Sequence, residues 1–275
     1  MTVEHVVPLN QGGKHSEANI VPACGSCNYS KADFTIEELG WSVRPTVDVP
    51  ANITFIPLAA NKPQLRDSFC LFEDEWVNKR ELVEAMLRWR LGKFLGTHVR
   101  ASKCELVFLS SQAESFFERN HLEGHVRANF AFGLFYDNRL VSCLSVRKNF
   151  NNEWEIARFA TNYEYNVRGA ASRLVKAVRG YIKQPLVTFS NNRIGSGNVY
   201  QKIGFKLVQE NPPSYWYTDG ISRFWRWKGR KDPASGMTEK EQAVSGWLGE
   251  KLTGKKTPMY RVYDYGHRKW VLDAI

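Results

Sequence analysis

From Lys103 to Lys228 short strand-like runs alternate with short helical ones, and nothing else in the 275-residue chain restricts its fold so tightly. Residues 105–109 read as a strand, and 111–120 as a helix opened by a serine cap. Residues 131–136 and 140–147 read as two strands around Asp137-Asn138, a hairpin signal. A strand at 154–159, an amphipathic helix at 169–181, a strand at 186–190, a short helix at 199–203 and a strand at 205–209 complete the run. That order predicts a mixed α/β sheet.

The beginning of the chain has a different character. Glu4-His5-Val6-Val7-Pro8-Leu9 is followed by Gly12-Gly13, His15, Asn19-Ile20-Val21, Cys24-Gly25-Ser26-Cys27-Asn28 and Lys31. Two apolar runs, 3–9 and 18–23, flank the glycine turn. The second feeds a short polar helix from Cys24 that carries Asn28 and Lys31 one turn apart, which makes a ββα unit. A unit of this size needs a metal or a neighbouring domain to hold it together.

Between 34 and 61 the apolar residues lose their period and Pro45, Pro50 and Pro57 interrupt the chain, so a connector with at most a short helix at 36–39 is expected. At 75–95, Trp76, Leu82, Val83, Met86, Leu87, Trp89, Leu91 and Leu95 form an apolar stripe, which predicts a helix that packs on a domain or bridges two.

The net charge of +10 and pI near 9.4 favour a polyanionic partner, because each cation set against a phosphate releases a counterion. Between Arg223 and Lys269 twelve cationic residues face five carboxylates, with tyrosines and tryptophans interleaved. That mixture suits a nucleic-acid surface, with Lys31, Arg226, Lys228, Arg230 and Lys231 as candidate DNA contacts. It equally suits a small aromatic core with a solvated basic face. Cys70, Cys104 and Cys143 stand alone in apolar settings and are expected to be reduced, buried thiols, whereas Cys24 and Cys27 are spaced to reach one tetrahedral metal. With no leader and no apolar run of about 18 residues, a soluble protein without a membrane partner is expected, in the cytoplasm.

Phosphodiester hydrolysis needs a nucleophile made from water, a Lewis acid for the departing oxygen, and a group that holds the phosphate in line. In the opening stretch His5 can take a proton from water. Glu4 and the side-chain oxygen of Asn28 can approach a hard divalent cation. Asn19 can fix the loop backbone to orient His5, and Lys31 can touch a phosphate.

On these residues the stretch resembles the HNH endonucleases, whose ββα-metal motif runs acidic-His, apolar pair, Pro, Gly-Gly, Asn-apolar, Cys-x-x-Cys-Asn and Lys. The resemblance implies His5 as general base, Asn19 as the loop-fixing residue, Asn28 as the third catalytic position, and Glu4 with Asn28 as metal ligands. Mg²⁺ is the expected ion, with Mn²⁺ as an alternative. Members of this kind usually carry a second Cys-x-x-Cys upstream, and the four thiolates bind a structural Zn²⁺. Here the chain starts at Met1 and His15 is the only other ligand type nearby, so Cys24 and Cys27 form an incomplete zinc site, the unit reads as N-terminally truncated, and weakened cleavage is expected.

Residues 103–228 resemble the GNAT (N-acetyltransferase-like) fold, in the version appended to phage-borne HNH and homing endonucleases. The likeness lies in Phe116-Phe117-Glu118-Arg119-Asn120-His121-Leu122-Glu123-Gly124, in Val167-Arg168-Gly169-Ala170-Ala171-Ser172-Arg173-Leu174, and in Ser196-Gly197-Asn198-Val199-Tyr200-Gln201-Lys202-Ile203-Gly204-Phe205. It implies a cofactor or substrate site at Gly169, Ser172 and Tyr200, with the turn at Gly169 offering backbone N–H groups to a pyrophosphate. Tyr200 stands where a tyrosine often protonates the leaving thiolate; its alternative is a core aromatic. Asn166 replaces the Arg or Gln that opens this turn and only Gly169 remains as glycine, so acetyl-CoA is not expected to bind. The segment from Tyr260 to Trp270 resembles the tail of the same phage proteins.

The fold expected is therefore mixed α+β and α/β in four parts: an HNH ββα-metal finger at 1–34, a helical connector at 35–102, a GNAT-like α/β domain at 103–228, and a basic aromatic extension at 229–275. The function these resemblances imply is a phage homing-type, metal-dependent HNH endonuclease acting on double-stranded DNA in a bacterial host. Two alternatives stand beside it: a GNAT-type acyltransferase or DNA-modifying transferase, and a catalytically silent DNA-binding protein. The oligomeric state is not encoded in any of these features.

Overall fold

The computed structural model describes residues 2–14, 19–23, 31–40, 53–56, 69–109, 113–230 and 235–274. They fall into two compact units, one made of Met1–Asp74 and Pro213–Tyr265, the other of Glu75–Pro212 and Gly266–Ile275.

The first unit begins with an antiparallel pair, β1 (Thr2–His5) and β2 (Ile20–Ala23), in the register Thr2↔Ala23 to His5↔Ile20. A parallel pair follows, β3 (Ile53–Ile56) and β4 (Phe69–Phe72), and all four residues of β4 are buried. The helix expected from Cys24 onward lies outside the described residues. The chain passes from the first unit to the second inside α1 (Glu73–Asn78).

In the second unit the single helix expected at 75–95 is divided, with α2 (Arg80–Arg90) starting anew after Lys79. Only Leu82 and Val83 of its apolar stripe are buried, while Trp89, Leu91 and Leu95 face solvent. The next elements are β5 (Thr97–Arg100), β6 (Glu105–Leu109), α3 (Ala113–Asn120), β7 (Phe130–Tyr136) and β8 (Arg139–Lys148). Asp137 and Asn138 join β7 to β8 with φ of 47° and 59°, the left-handed pair whose twist matches a two-residue hairpin.

The unit continues through β9 (Trp154–Thr161), β10 (Tyr165–Arg168), α4 (Ala170–Tyr181), β11 (Leu186–Asn191), α5 (Asn198–Lys202) and β12 (Lys206–Asn211). Helix α4 buries Ala170, Ala171, Leu174, Val175 and Val178 along one stripe, the spacing of an amphipathic helix on a sheet. Ala170, Leu174, Val175 and Val178 share a core with Phe132, Leu134, Leu144, Val146 and Ile156. On the opposite sheet face α3 packs Phe116 and Phe117 against Ala131, Cys143 and Ala160.

The chain then returns to the first unit, where β13 (Tyr215–Thr218), β14 (Arg223–Trp225), α6 (Glu239–Val244), α7 (Trp247–Thr253) and β15 (Tyr260–Tyr263) build a separate three-stranded sheet with β13 in its centre. Tyr217, Ala243, Leu248 and Met259 form its core. The aromatics of this segment thus divide, some buried here and others, such as Trp227, exposed.

The last strand, β16 (His267–Leu272), inserts into the sheet of the second unit and completes the order β12-β16-β11-β9-β8-β7-β6. The result is a mixed sheet with helices on both faces, the α/β arrangement expected for this region. Cys70, Cys104 and Cys143 are buried. Among the described residues no helix is long and apolar enough to cross a membrane.

Candidate functional site

The N-terminal motif is held by side chains that serve the backbone. Asn19 clamps the loop after His5: its Oδ1 accepts the Val7 N–H at 2.8 Å, and its Nδ2 donates to the carbonyls of Val7 and Lys14 at 2.9 Å each. The Val6 N–H donates to the Asn19 carbonyl at 2.9 Å. Glu4 Oε1 accepts from its neighbour's backbone, the His5 N–H, at 2.9 Å, and from Lys31 Nζ at 3.1 Å. Lys31 is buried and Glu4 nearly so, so each charge is compensated by the other away from solvent.

This bears on metal binding. Glu4 is already neutralised by an ammonium group, and no group of three His, Cys, Asp or Glu side chains suited to a metal occurs among the described residues. His15, Cys24, Cys27 and Asn28 lie outside the described residues, as does Lys231. Arg226, Lys228 and Arg230 are exposed on the first unit, in and just after a turn that follows β14.

In the second unit Gly169 and Ser172 lie at the start of α4, and Tyr200 lies on α5. Gly169 has φ of 82° and is the N-cap of α4, a left-handed conformation that glycine adopts without a Cβ penalty. The first N–H groups of a helix have no partner within it and carry the positive end of its dipole. Ser172, exposed, lies in this first turn. Strand β10, which leads into the turn, pairs in parallel with β5, and the register sets Arg168 beside Arg100.

Both arginines are exposed, and neither has an ion-pair partner among the described residues. Like charges side by side on a sheet repel. Their position is enforced from below, where Arg173 of α4 donates to the carbonyls of Ala101 and Cys104, the latter at 2.7 Å. Two uncompensated guanidinium groups beside a helix N-terminus make a concentrated anion site. Asn166, in the place of the expected Arg or Gln, spends its side chain on His98 Nδ1 at 3.2 Å. The turn keeps the first N–H groups of α4 at its end without that side chain, and such groups with arginines nearby are of a kind that suits the phosphates of an acyl-CoA.

A second feature adjoins it. Parallel strands β9 and β11 pair only at Leu186↔Trp154 and Val187↔Glu155, although β9 runs on to Thr161 and β11 to Asn191. Beyond those two positions the strands part, so their facing edges lack ladder partners, and unpaired backbone groups at strand carboxyl ends are where α/β sheets receive ligands. Tyr200 of α5 packs against Phe205 and Trp270, and burial raises its phenol above the ordinary value. The hydroxyl is therefore a proton donor at neutral pH.

The far end of the parting is closed by charged residues from the loop after α3. Glu123 Oε1 accepts from Asn191 Nδ2 at 3.3 Å, its Oε2 lies 3.5 Å from Arg158 Nη2, and Arg158 Nε donates to the Gly124 carbonyl at 3.0 Å. Burial pushes the Glu123 carboxyl up, but the positive charges around it, Arg158 foremost, hold it below the ordinary range. Burial, reinforced by Arg158, lowers His121 to about 4. Its imidazole is neutral at pH 7, with Nδ1 accepting the Glu123 N–H at 3.1 Å. Nearby in the unit Arg193, 2% exposed, makes a bidentate pair with Glu75 at 2.7 and 2.5 Å.

Sequence reasoning singled out Gly169, Ser172 and Tyr200 and passed over the Arg100–Arg168 pair and the Glu123–Arg158–Asn191 bridge. The turn itself signalled an anion site. The bridge had no signal, since Asn191 and Glu123 are 68 residues apart.

Two family models match separate stretches of the chain. The HNH endonuclease model matches residues 1–34, and the acetyltransferase (GNAT) family model matches residues 84–205. No curated protein matches the chain. Among solved structures, a GNAT acetyltransferase from Elizabethkingia anophelis with acetyl-CoA bound is 12% identical, covering 62% of this chain and 98% of its own, with a TM-score of 0.36. The Bacillus subtilis acetyltransferase in complex with CoA is 9% identical, covering 63% and 100%, with a TM-score of 0.38. An N-acetyltransferase from Staphylococcus aureus Mu50 is 11% identical, covering 62% and 97%, with a TM-score of 0.35. The chain carries an HNH domain at residues 1–34 and a GNAT acetyltransferase domain at residues 84–205.

Proposed function

We propose that the second unit is an acyltransferase that uses an acyl-CoA, which reverses the expectation that acetyl-CoA would not bind. The observation that carries this reading is the pair of uncompensated arginines, Arg100 and Arg168, beside the turn where Gly169 opens α4. The match of residues 84–205 to the GNAT family model supports it independently.

An acyl-CoA supplies an acyl group already activated as a thioester for attack by an amine. The chain's own residues bind, orient and handle protons. The α4 N-terminus with Arg100 and Arg168 receives the phosphate charge, and the Ser172 hydroxyl adds a donor in the same turn. The parted edges of β9 and β11 offer backbone donors and acceptors to an extended, amide-bearing arm, as a sheet edge does for a peptide. As the amine nitrogen bonds the carbonyl carbon and the C–S bond breaks, Tyr200 donates its proton to the departing sulfur, and the proton released by the nitrogen returns to the phenolate through solvent.

The test is to incubate the chain with acetyl-CoA and a panel of primary amines and follow free thiol. Release that requires both chain and amine is expected, with Tyr200→Phe slower by about a hundredfold at unchanged acetyl-CoA KM. No amine-dependent release from any member of the panel removes the reading.

A second reading is favoured by the Asn19 clamp beside His5 together with the HNH match to residues 1–34. In it the N-terminal domain cuts double-stranded DNA, with His5 taking a proton from water. If His5→Ala cuts plasmid DNA in Mg²⁺ or Mn²⁺ as fast as the parent, this role for His5 is gone.

A further inference from the structure

The first unit contains a pile of flat side chains that ends at the surface. The Arg223 guanidinium lies 3.8 Å from the Phe72 ring centroid and 5.0 Å from that of Trp216. Asp74 fixes it, with both carboxylate oxygens accepting from Arg223 Nε at 2.7 and 2.8 Å. Trp216 stands directly opposite Trp225 in the β13–β14 register, and their ring centroids are 3.7 Å apart at 35°. Although Trp225 is supported in this way, it remains 40% exposed.

Immediately after Trp225 the chain makes a short 3-10 turn, Arg226–Gly229. Gly229 seats the turn, because a Cβ there would meet the ring of buried Tyr217 at 2.2 Å. The backbone therefore lies directly on that ring, and Arg226, Trp227 and Lys228 remain exposed, with Arg230 exposed just beyond. Trp227 is 60% exposed, with Lys228 Nζ 5.7 Å from its centroid. None of Arg226, Lys228 and Arg230 forms a close salt bridge among the described residues; Arg226 lies over the Tyr215 ring, 4.6 Å from its centroid, and its charge reaches Glu239 without a direct contact.

Two accessible indole rings thus alternate with three exposed cations along six residues, Trp225 to Arg230. Rings of this kind accept any base face, and cations between them accept the intervening phosphates. We propose that this turn binds single-stranded nucleic acid, with bases stacking on Trp225 and Trp227 and the backbone held by Arg226, Lys228 and Arg230. A duplex buries its base faces and leaves the rings without a partner. A lipid surface calls for a continuous apolar face, whereas here each tryptophan is separated from the next by a cation. The inference is independent of acyl transfer, which belongs to the other unit.

The test uses the full chain and a labelled oligothymidylate of about 15 nucleotides, long enough for one compact binding site, followed by fluorescence anisotropy. Salt-sensitive binding is expected, and Trp225→Ala and Trp227→Ala each weaken it by roughly 5- to 100-fold, the range measured for loss of one stacked base. The doubly substituted Arg226→Ala/Lys228→Ala protein loses about one to two units of salt slope. Trp227 lies outside the supported pile, so Trp227→Ala keeps the test decisive should Trp225→Ala fail to fold. Parental affinity in Trp227→Ala, equally tight binding of a duplex of the same length, or binding to phosphatidylserine–phosphatidylcholine vesicles in preference to the oligonucleotide overturns the proposal.

Discussion

Replacing Arg168 by Gln should move ligand affinity and protein stability in opposite directions. In the free protein Arg168 lies beside Arg100 in the β5–β10 register, both exposed and neither paired with a carboxylate among the described residues. Removing one charge relieves a repulsion that solvent screens to a few tenths of a kcal/mol, about the size of exposed pair energies in general. The melting temperature should therefore rise by no more than about 2 °C.

Binding of acetyl-CoA loses a charge-assisted hydrogen bond to phosphate, about 1.5–3 kcal/mol, or roughly a 10- to 150-fold weaker Kd. Calorimetric titration and thermal unfolding of the same preparations read both quantities. High salt should shrink the stability gain first, since it is the more exposed effect. Unchanged affinity would refute the assignment of Arg168 to the anion site. A fall in affinity accompanied by a comparable fall in stability would refute it as well, by making the residue structural.

Glu75→Gln leaves the Arg193 guanidinium buried without its countercharge and should cost about 3–5 kcal/mol in urea unfolding, whereas Glu75→Leu/Arg193→Met should cost less than either single change. A double variant as unstable as the sum of the singles would show that the pair is not acting as a unit. His121 has a folded-state value of about 4 against 6.5 ordinarily, so the folded protein resists a proton that the unfolded chain accepts. Its contribution is complete above pH 6.5 and is lost as pH falls toward 4, up to about 3 kcal/mol. His121→Gln should flatten that acid limb of the stability profile; a limb as steep as the parent's would contradict the burial of a neutral imidazole.

What could be read from sequence was what local chemistry encodes. The Asp137-Asn138 hairpin and the helix starting at Gly169 each depend on a few adjacent residues with special backbone preferences, and both are present. Strands β5 and β10 escaped notice because each has one buried residue, Val99 or Val167, which leaves no alternation to detect. Their pairing sets Arg168 beside Arg100, so this juxtaposition of charge was hidden with them.

The apolar stripe at 75–95 read as one helix because periodicity does not register the break at Lys79 or reveal that Trp89, Leu91 and Leu95 lack a covering surface. Buried charges are the hardest case. Lys31 and Arg193 are residue types expected at the surface, and the carboxylates that make their burial tolerable are 27 and 118 residues away in the chain.

The central claim is that the turn at Gly169, with Arg100 and Arg168, binds an acyl-CoA. Calorimetric titration of acetyl-CoA into the full chain tests it most directly. The account predicts saturable binding at one site per chain, competed by CoA and abolished in Arg100→Gln/Arg168→Gln. Absence of saturable heat, or binding that the double substitution leaves intact, would contradict it.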